Sequence, residues 1–200
     1  MARIPLPSPE TMTAEQRRVY ETVVAGPRGV VVGPLRAALH SPELADRWQR
    51  LGEYLRYQTS LPARLGELAI LVTARRWNSQ LEWHIHAAAA RDAGVPESVV
   101  EAIRSGQSPC FQDEDEWAVY EFAREIQHTG KVSEEIYGKV LSRWQPLGVV
   151  ELTAIIGYYT MVSMTLNAHE IPLPDGERSP LKTLEPGFSV LAPASLVNRR

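Results

Sequence analysis

The chain has 200 residues, of which 44% are hydrophobic and 22% are charged, and its formal net charge is -3. This length can bury a substantial core in one globular domain, and the slightly acidic balance lacks the basic excess that nucleic-acid binders usually show. The single cysteine, Cys110, excludes an internal disulfide, a CxxC redox pair and a cysteine-rich zinc site.

The N-terminal segment carries no recognisable targeting signal. Its first residues, MARIPLPSPETM, contain three prolines and no apolar run of signal-peptide length. Further along, no stretch approaches the roughly 18 uninterrupted apolar residues of a membrane span. We therefore expect a cytoplasmic protein that binds neither membranes nor nucleic acids.

Capping residues and prolines mark helix starts along the first half of the chain. Thr13 can cap a helix that continues to about Ala25. Ser41-Pro42-Glu43 combines a cap, a first-turn proline and an acidic residue at the positive helix end. Pro62 begins a helix that is apolar over more than half of its circumference, which favours a central position in a bundle. Trp77-Asn78-Ser79 predicts a bend before the next helix.

The second half of the chain continues with helical patterns. A short helix begins at Pro96, and further helices begin at Asp113 and Ser133. The last helix, from about residue 147 to 167, has Glu151 as the only charged residue in its body. We expect this helix to be buried or to lie at an oligomer interface. No strand pattern passes a length test.

Residues 172–200 differ from the rest of the chain in composition. They contain PLPDG, SP, EPG and APA, and they lack the 3.6-residue periodicity of the helices. We expect this tail to be irregular and to wrap a surface or pack on a partner subunit. The sequence thus predicts a single helical domain over residues 1–171, with its most informative segment at 62–94, followed by the tail.

Two ionisable residues in this informative segment share one helix face. Glu82 and His86 are four residues apart, so the carboxylate can orient the imidazole and raise its pKa, or either group can move a proton. Such a pair also occurs on exposed helices without any catalytic role. The alanines that follow the histidine, with Trp83 and Ile85, instead indicate a packed environment in which buried polar groups need partners.

Other polar side chains could complete such a site. Glu67 lies fifteen residues before Glu82 and reaches the same pocket only if the bend folds the two helices suitably. A metal site is an alternative, with Glu82, His86 and His169 as ligands. His84 and His86 cannot chelate one ion together, because residues two apart on a helix point about 200° away from each other. The spacing also differs from the two-histidine HExxH pattern.

The run RLGELAILVTARRWNSQLEWHIHAAAARDAGV resembles the core motif of the carboxymuconolactone decarboxylase and alkylhydroperoxidase D superfamily. That motif reads approximately Arg-x-x-Glu-Leu-x-x-Leu, then Glu-Trp-x-x-His-x-x-x-Ala-x-x-x-Gly. The matching positions in this chain are Arg64, Glu67, Leu68, Leu71, Glu82, Trp83, His86, Ala90 and Gly94. Flanking sequence, including the final GYYTMVSMTLN, also resembles family members, so the similarity extends over most of the chain.

The resemblance implies an all-α fold. It would be a single-domain helical bundle of the alkylhydroperoxidase D-like type that forms homo-oligomers, commonly trimers or hexamers, with the proline-rich tail at its C-terminal end. The peroxidase branch has two cysteines, spaced CxxC, ahead of the histidine. Ser79 and Glu82 occupy those positions here, so the chain resembles the branch without these cysteines, and dithiol peroxide reduction is not expected.

The resemblance also implies a lyase with Glu82 and His86 as its acid–base pair. In the name-giving reaction, a carboxylated unsaturated lactone loses carbon dioxide and leaves an enolate, which is stabilised and protonated in a dry cavity. We therefore expect a decarboxylase for a small unsaturated lactone or keto acid that needs no cofactor and no metal. The candidate substrate-binding residues are Glu67, Arg64, Arg75, Trp83 and His169.

Three alternatives compete with this expectation. The same site could isomerise or cyclise a polyketide-like ring, or cleave a carbon–carbon bond by a retro-aldol route, since each reaction passes through an enolate. A metal-dependent enzyme is the second alternative. The third is a small-molecule binding oligomer without turnover. A closed, packed interior around His86 would favour that third class, and a cavity of roughly a few hundred cubic ångströms would count against it.

Overall fold

Eight helices and two very short strands make up the part of the chain that the computed structural model describes, residues 2–182 and 189–197. The helices are α1 (Ala14–Ala25), α2 (Gly33–Ala38), α3 (Pro42–Tyr57), α4 (Ala63–Arg76), α5 (Gln80–Asp92), α6 (Glu97–Ser105), α7 (Glu114–Thr129) and α8 (Glu134–Ala168). The strands β1 (Cys110–Phe111) and β2 (Ser195–Leu196) pair in parallel. The fold class is all-α, as expected from the sequence.

Most helix boundaries lie where the sequence predicts them. Thr13 accepts a hydrogen bond from the Gln16 backbone N–H, and the Gln16 side chain accepts one from the Thr13 N–H, which forms a capping box at the start of α1. Asp113 caps α7. Gly106 and Gly130 end α6 and α7 in the left-handed conformation. These signals are local, and they are therefore readable from the sequence.

Three features differ from the sequence prediction. The first is α2, which has six residues and is too short to show a periodic pattern. The second is α8, which joins the two predicted C-terminal helices across a kink at Gln145 with φ 57° and ψ 179°. Pro146 explains this kink, because proline disfavours the helical conformation of the residue before it and lacks an N–H. The third is the pairing of β1 and β2, whose two-residue strands escape any length test.

The apolar character of α8 also exceeds the expectation from the sequence. Among residues 2–182 and 189–197, α8 is the one helix that is long and apolar enough to cross a membrane by length and composition. Glu151 interrupts the apolar part of α8, so a search for uninterrupted apolar residues does not find it, although the mean hydropathy of the segment is high. Because 56% of this apolar stretch is buried inside the protein, core packing accounts for much of its composition.

The central helix α4 positions α5. It packs against α5, α7 and α8, and Leu68 and Leu71 in its middle are 0% exposed. After α4 the chain turns at Asn78, whose φ of 50° lies in the left-handed region, and Ser79 is the N-cap of α5. The turn folds α5 back onto α4 and so brings polar residues of the two helices face to face.

The described part of the tail lies on the helical body of its own chain. The Ala194 N–H donates a hydrogen bond to the buried carboxylate of Glu121, with an N···O distance of 2.6 Å. Leu191 is 2% exposed and belongs to the hydrophobic core. Apart from β2, these residues are irregular. Residues 183–188 and 198–200 of the predicted tail lie outside the described residues.

Candidate active site

Three ionisable side chains meet between α4 and α5. His86 Nδ1 is 2.6 Å from Glu67 Oε2, and His86 Nε2 is 3.0 Å from Glu82 Oε1. Glu82 and His86 meet because they lie one turn apart on the same face of α5, so the contact predicted between them is present. Glu67 comes from α4, and the turn at Asn78 brings it to the same histidine.

The cluster is withdrawn from solvent. The exposed fractions of Glu67, Glu82 and His86 are 8%, 4% and 2%. Burial by itself lowers the pKa of His86, but the negative charges and hydrogen bonds of Glu67 and Glu82 outweigh burial and raise this pKa from 6.5 to about 9. The imidazole is therefore protonated at neutral pH and donates to both carboxylates. Two hydrogen bonds in opposite directions fix the orientation of the ring.

Two tyrosines of α8 lie next to the cluster. The ring of Tyr159 meets that of His86 edge to face, with centroids 4.9 Å apart, and burial, reinforced by the charge of Glu82, raises the pKa of Tyr159 well above its ordinary value. Tyr158 packs edge to face on Tyr159. Burial raises the pKa of Tyr158 to about 12, although the positive charge of Arg28 opposes the rise. Both phenols therefore stay neutral at physiological pH.

A cavity of about 80 Å³ adjoins the cluster. Aliphatic side chains and a proline form much of its wall. Its charged and aromatic lining residues are Arg28, Arg56, Glu82, His86, Tyr158 and Tyr159. Apolar walls with a few convergent polar groups are found in sites for small molecules, and at this volume the chamber is small beside the usual range of about 300–1,000 Å³.

The size of this cavity lies between the two extremes considered from the sequence. It is neither a closed, packed interior nor a chamber of a few hundred cubic ångströms. It shares Val32 and Ile85 with a wider groove of about 420 Å³, which residues 171–175 help to line. The chamber beside His86 therefore lies next to a larger groove.

Two arginines predicted to bind substrate face other partners. Arg64 Nη2 is 2.9 Å from Asp113 Oδ2, and Arg64 Nε is 3.1 Å from Glu116 Oε1, so this side chain links α4 to α7. Arg75 is 0% exposed and donates to the Lys182 carbonyl oxygen. Neither side chain lines the cavity. Ion pairs and burial engage their guanidinium groups away from this chamber, and their role in substrate binding stays a prediction.

Two further predicted residues also lie away from the chamber. Trp83 is 1% exposed within the hydrophobic core, and His169 is at the C-terminal end of α8; neither lines the cavity. Within the described ranges, no group of three or more histidine, cysteine, aspartate or glutamate side chains is placed to hold a metal ion. The metal site composed of Glu82, His86 and His169 therefore finds no support in the geometry.

Four charged or aromatic lining residues are not among the site residues predicted from the sequence: Arg28, Arg56, Tyr158 and Tyr159. The two tyrosines lie in the GYYTMVSMTLN stretch, so the resemblance to family members there was an available signal. Arg56 is one of several arginines on the amphipathic α3. Arg28 lies on the loop between α1 and α2, where no periodic pattern marks it. Both arginines are recognised only once the chain is folded.

The fold and the site define an all-helical bundle with a buried carboxylate–imidazole cluster beside a small chamber. The sequence model of the carboxymuconolactone decarboxylase family matches residues 42–125, a segment that contains Glu67, Glu82 and His86. This central segment is thus similar to the carboxymuconolactone decarboxylase family. No curated protein matches the chain significantly.

Solved structures agree with this family at the level of the fold. An uncharacterized peroxidase-related protein from Silicibacter sp. TM1040 superimposes with a TM-score of 0.68 at 14% identity, covering 86% of this chain and 91% of that chain. An uncharacterized peroxidase-related protein from Ralstonia eutropha JMP134, described as an alkylhydroperoxidase AhpD core, gives 0.68 at 14% identity, with 87% and 93% covered. The debrominase Bmp8, in complex with 2,3,4-tribromopyrrole, gives 0.65 at 15% identity, with 89% and 92% covered. The family and these neighbours are compatible with enzymatic activity.

Proposed function

We propose that the protein is a cofactor-independent lyase that decarboxylates a small unsaturated lactone or keto acid through an enolate intermediate. One observation carries the proposal. The buried imidazolium of His86 is bonded to two carboxylates, and the Glu82–His86 half of this cluster lines a cavity. Such a pair can supply the proton that the enolate needs, in an environment from which most water is excluded.

The roles of the cluster residues follow from their positions. His86 stores the proton, because its pKa of about 9 keeps it charged at neutral pH. Glu82 contacts His86 Nε2 and the cavity, so it shares that proton with the reacting carbon. Glu67 holds Nδ1 and thereby orients the ring. When carbon dioxide leaves, the electron pair of the broken bond becomes the enolate, and proton transfer from the Glu82–His86 pair completes the reaction.

The cationic residues of the cavity suit this chemistry. Arg28 and Arg56 line the chamber and can stabilise negative charge on a bound acid or on the enolate oxygen. They take the place of Arg64 and Arg75, which were predicted for this role. The neighbour that binds tribromopyrrole holds a small five-membered ring, which is consistent with a compact ring substrate here.

Isomerisation, cyclisation and retro-aldol cleavage remain alternative reactions of the same acid–base pair. Peroxidase chemistry is disfavoured despite the names of two neighbours. The two positions of the CxxC motif are Ser79 and Glu82, and Cys110, the only cysteine in the sequence, is exposed on β1. A metal-dependent enzyme and a binding protein without turnover are separated from the lyase by the assay below.

The test is turnover of a carboxylated muconolactone by chelator-treated protein, with the lactone chromophore and carbon dioxide release followed together. We expect turnover in the wild type and a loss of at least about 10²-fold in His86→Gln, since positioned proton transfer typically contributes about 10²–10⁴-fold. Turnover only after metal is restored would favour the metal-dependent enzyme. Turnover that is equal in His86→Gln would refute the site, and conversion of the lactone without carbon dioxide would favour an isomerase.

We also propose that the chain forms the homo-oligomer expected from its family resemblance, as a cytoplasmic assembly. Support comes from one face of α8, on which Leu147, Val150, Met161 and Met164 are 58%, 67%, 36% and 51% exposed. These residues recur at spacings compatible with one helical stripe, and Gly157 between them has open space beside it. Light scattering should give a trimer or hexamer for the wild type and smaller species for Val150→Asp; a wild-type monomer would refute the assembly.

A further inference from the structure

Arg28 presents unsatisfied hydrogen-bond donors to the cavity. It lies outside the segment 42–125 that matches the family, and its side chain lines the chamber together with Glu82 and His86. The Nε and Nη2 atoms of Arg28 are buried, and no acceptor among the described residues lies in good hydrogen-bond geometry for either atom. Buried donors in native proteins almost always have an acceptor, so this edge of the guanidinium group fits an acceptor from outside the chain.

Gly52 makes room for this arrangement. A Cβ atom at position 52 would lie 2.3 Å from Arg28 Nη2 and 2.0 Å from the Tyr158 hydroxyl oxygen, so a side chain there would displace both groups. The Tyr158 hydroxyl lies beside Arg28, whose charge and side-chain hydrogen bond both lower the pKa of Tyr158 against the larger effect of burial, and this hydroxyl donates to the Trp48 carbonyl oxygen, 3.5 Å away. Arg28 is therefore held beside Tyr158, while its Nε atom has no acceptor among the described residues.

The charges around the chamber leave one positive charge without a counter-ion. His86 is bonded to Glu67 and Glu82, and Arg56 Nε is 3.9 Å from Glu67 Oε1. Three cationic groups thus face two carboxylates, and of these three Arg28 is the one for which residues 2–182 and 189–197 supply no ion pair. A ligand with one negative charge would neutralise the site.

We propose that Arg28 selects the substrate by binding one carboxylate of a small unsaturated acid through its Nε–Nη2 edge. Two adjacent N–H donors of arginine match the two oxygens of a carboxylate. The chamber of about 80 Å³ is smaller than the roughly 150 Å³ cavity that holds benzene, so it encloses the carboxylate end of a ring substrate and not the whole ring. This inference rests on the proposed function only for the reaction that follows binding.

The test compares crotonate with crotonamide, a neutral analogue of the same shape, by NMR titration at pH 7. Crotonate is a short unsaturated carboxylate, and its binding requires no turnover. We expect the wild type to bind crotonate at least about tenfold more tightly than crotonamide, because charge-assisted hydrogen bonds are the stronger ones. Arg28→Gln should abolish this preference, and Arg28→Lys, which keeps the charge but loses the fork, should retain part of it.

Arg18→Gln is the matched control, because Arg18 is an exposed arginine of α1 that does not line the chamber, and we expect it to bind both probes like the wild type. Unfolding temperatures of the variants establish that each is folded. Equal binding of the two probes by the wild type, an undiminished preference in Arg28→Gln, or no crotonate binding would overturn the proposal. If the preference for crotonate depends on Arg28 but the lactone is not turned over, the role of Arg28 is supported and the lyase is refuted. If the lactone is turned over but crotonate and crotonamide bind equally, the lyase is supported and the role of Arg28 is refuted.

Discussion

Two glutamates of this protein are equally buried but differ in their hydrogen-bond partners and in the space beside them. Glu82 and Glu151 are each 4% exposed. Glu151 Oε1 accepts a hydrogen bond from the Tyr54 hydroxyl at 2.6 Å, and Glu151 Oε2 accepts from the Ser60 N–H at 2.8 Å and from the Ser60 hydroxyl at 2.5 Å. Burial raises the pKa of Glu151, but these hydrogen bonds outweigh it and lower the pKa. Glu82 instead shares His86 with Glu67 and lines a cavity.

The comparison teaches that burial of a carboxylate does not identify a catalytic residue. The donors around Glu151 do not titrate near neutral pH, so its proton occupancy is fixed and its role is to join α3 and the loop after it to α8. The partner of Glu82 is a group that can gain and lose a proton, with space beside it for a reactant. A titratable partner and an adjoining cavity are the features that distinguish the two sites.

The largest expected difference between the two sites is in turnover. Glu82→Gln should reduce lactone decarboxylation by about 10²–10⁴-fold, because it removes one member of the proton-transfer pair. Glu151→Gln should change turnover little in the fraction that is folded. The rates are measured below the unfolding temperature of both variants and are normalised to folded protein by circular dichroism. Equal losses in the two variants would abolish the distinction between them.

The next expected effect is on the pH dependence of stability. Because folding raises the pKa of His86 from 6.5 to about 9, its stabilising contribution is complete below pH 6.5, declines as the pH rises towards 9 and is absent above it. The difference in unfolding free energy between the wild type and His86→Gln should therefore shrink by up to about 3 kcal/mol over this range. Urea unfolding at several pH values measures it.

Glu67→Gln is the control for this pH dependence. Among the influences that raise the pKa of His86, the charge of Glu67 is the strongest, so this variant should show a weaker dependence between pH 6.5 and 9. A direct titration of the His86 ring by NMR should give a lower pKa in Glu67→Gln than in the wild type. An unchanged pKa would mean that Glu67 does not hold the proton on the ring.

At the other glutamate, stability is the quantity that should change. Glu151→Gln replaces one acceptor oxygen by an NH₂ group that faces the Tyr54 or Ser60 donors, and unsatisfied buried groups cost about 1–3 kcal/mol. The urea midpoint should fall by a corresponding amount at unchanged slope. Glu15→Gln, on the exposed first turn of α1, is the matched control and should leave the midpoint unchanged. A stable Glu151→Gln would show that the three hydrogen bonds are dispensable.

Local signals explain how much of this molecule could be predicted. The helices are encoded by caps, first-turn prolines and terminal glycines, which act within a few residues, and the pairing of Glu82 with His86 follows from a single helical turn. Glu67 could be proposed only on a condition, because its approach depends on the left-handed turn at Asn78. The partners of Arg64 and Arg75 depend on how α7 and the tail pack against α4, which no local pattern specifies.

The chamber was the least predictable feature for the same reason. Its arginines come from a loop before α2 and from α3, its acid–base pair comes from α5 and its tyrosines come from α8, so four separate segments have to converge. Arg28 illustrates the difficulty, since its importance arises from donors left unsatisfied in the folded chain. A sequence pattern can predict which groups are present, but the donors that remain unpaired are determined by packing.

The smallest expected effect tests whether Ser60 acts only through Glu151. Ser60→Ala removes the hydroxyl donor to Glu151 Oε2 and leaves the backbone N–H in place, so it should cost about 0.5–1.5 kcal/mol of unfolding free energy. In the double variant with Glu151→Gln, the two losses should not add, because the serine hydroxyl has then already lost its charged acceptor. Urea unfolding of the four proteins gives the coupling energy. Full additivity would mean that Ser60 stabilises the contact between α8 and the loop after α3 independently of Glu151. The Glu151 site would then not be a single hydrogen-bonded unit, and it could not serve as the counterpart of the Glu82–His86 cluster.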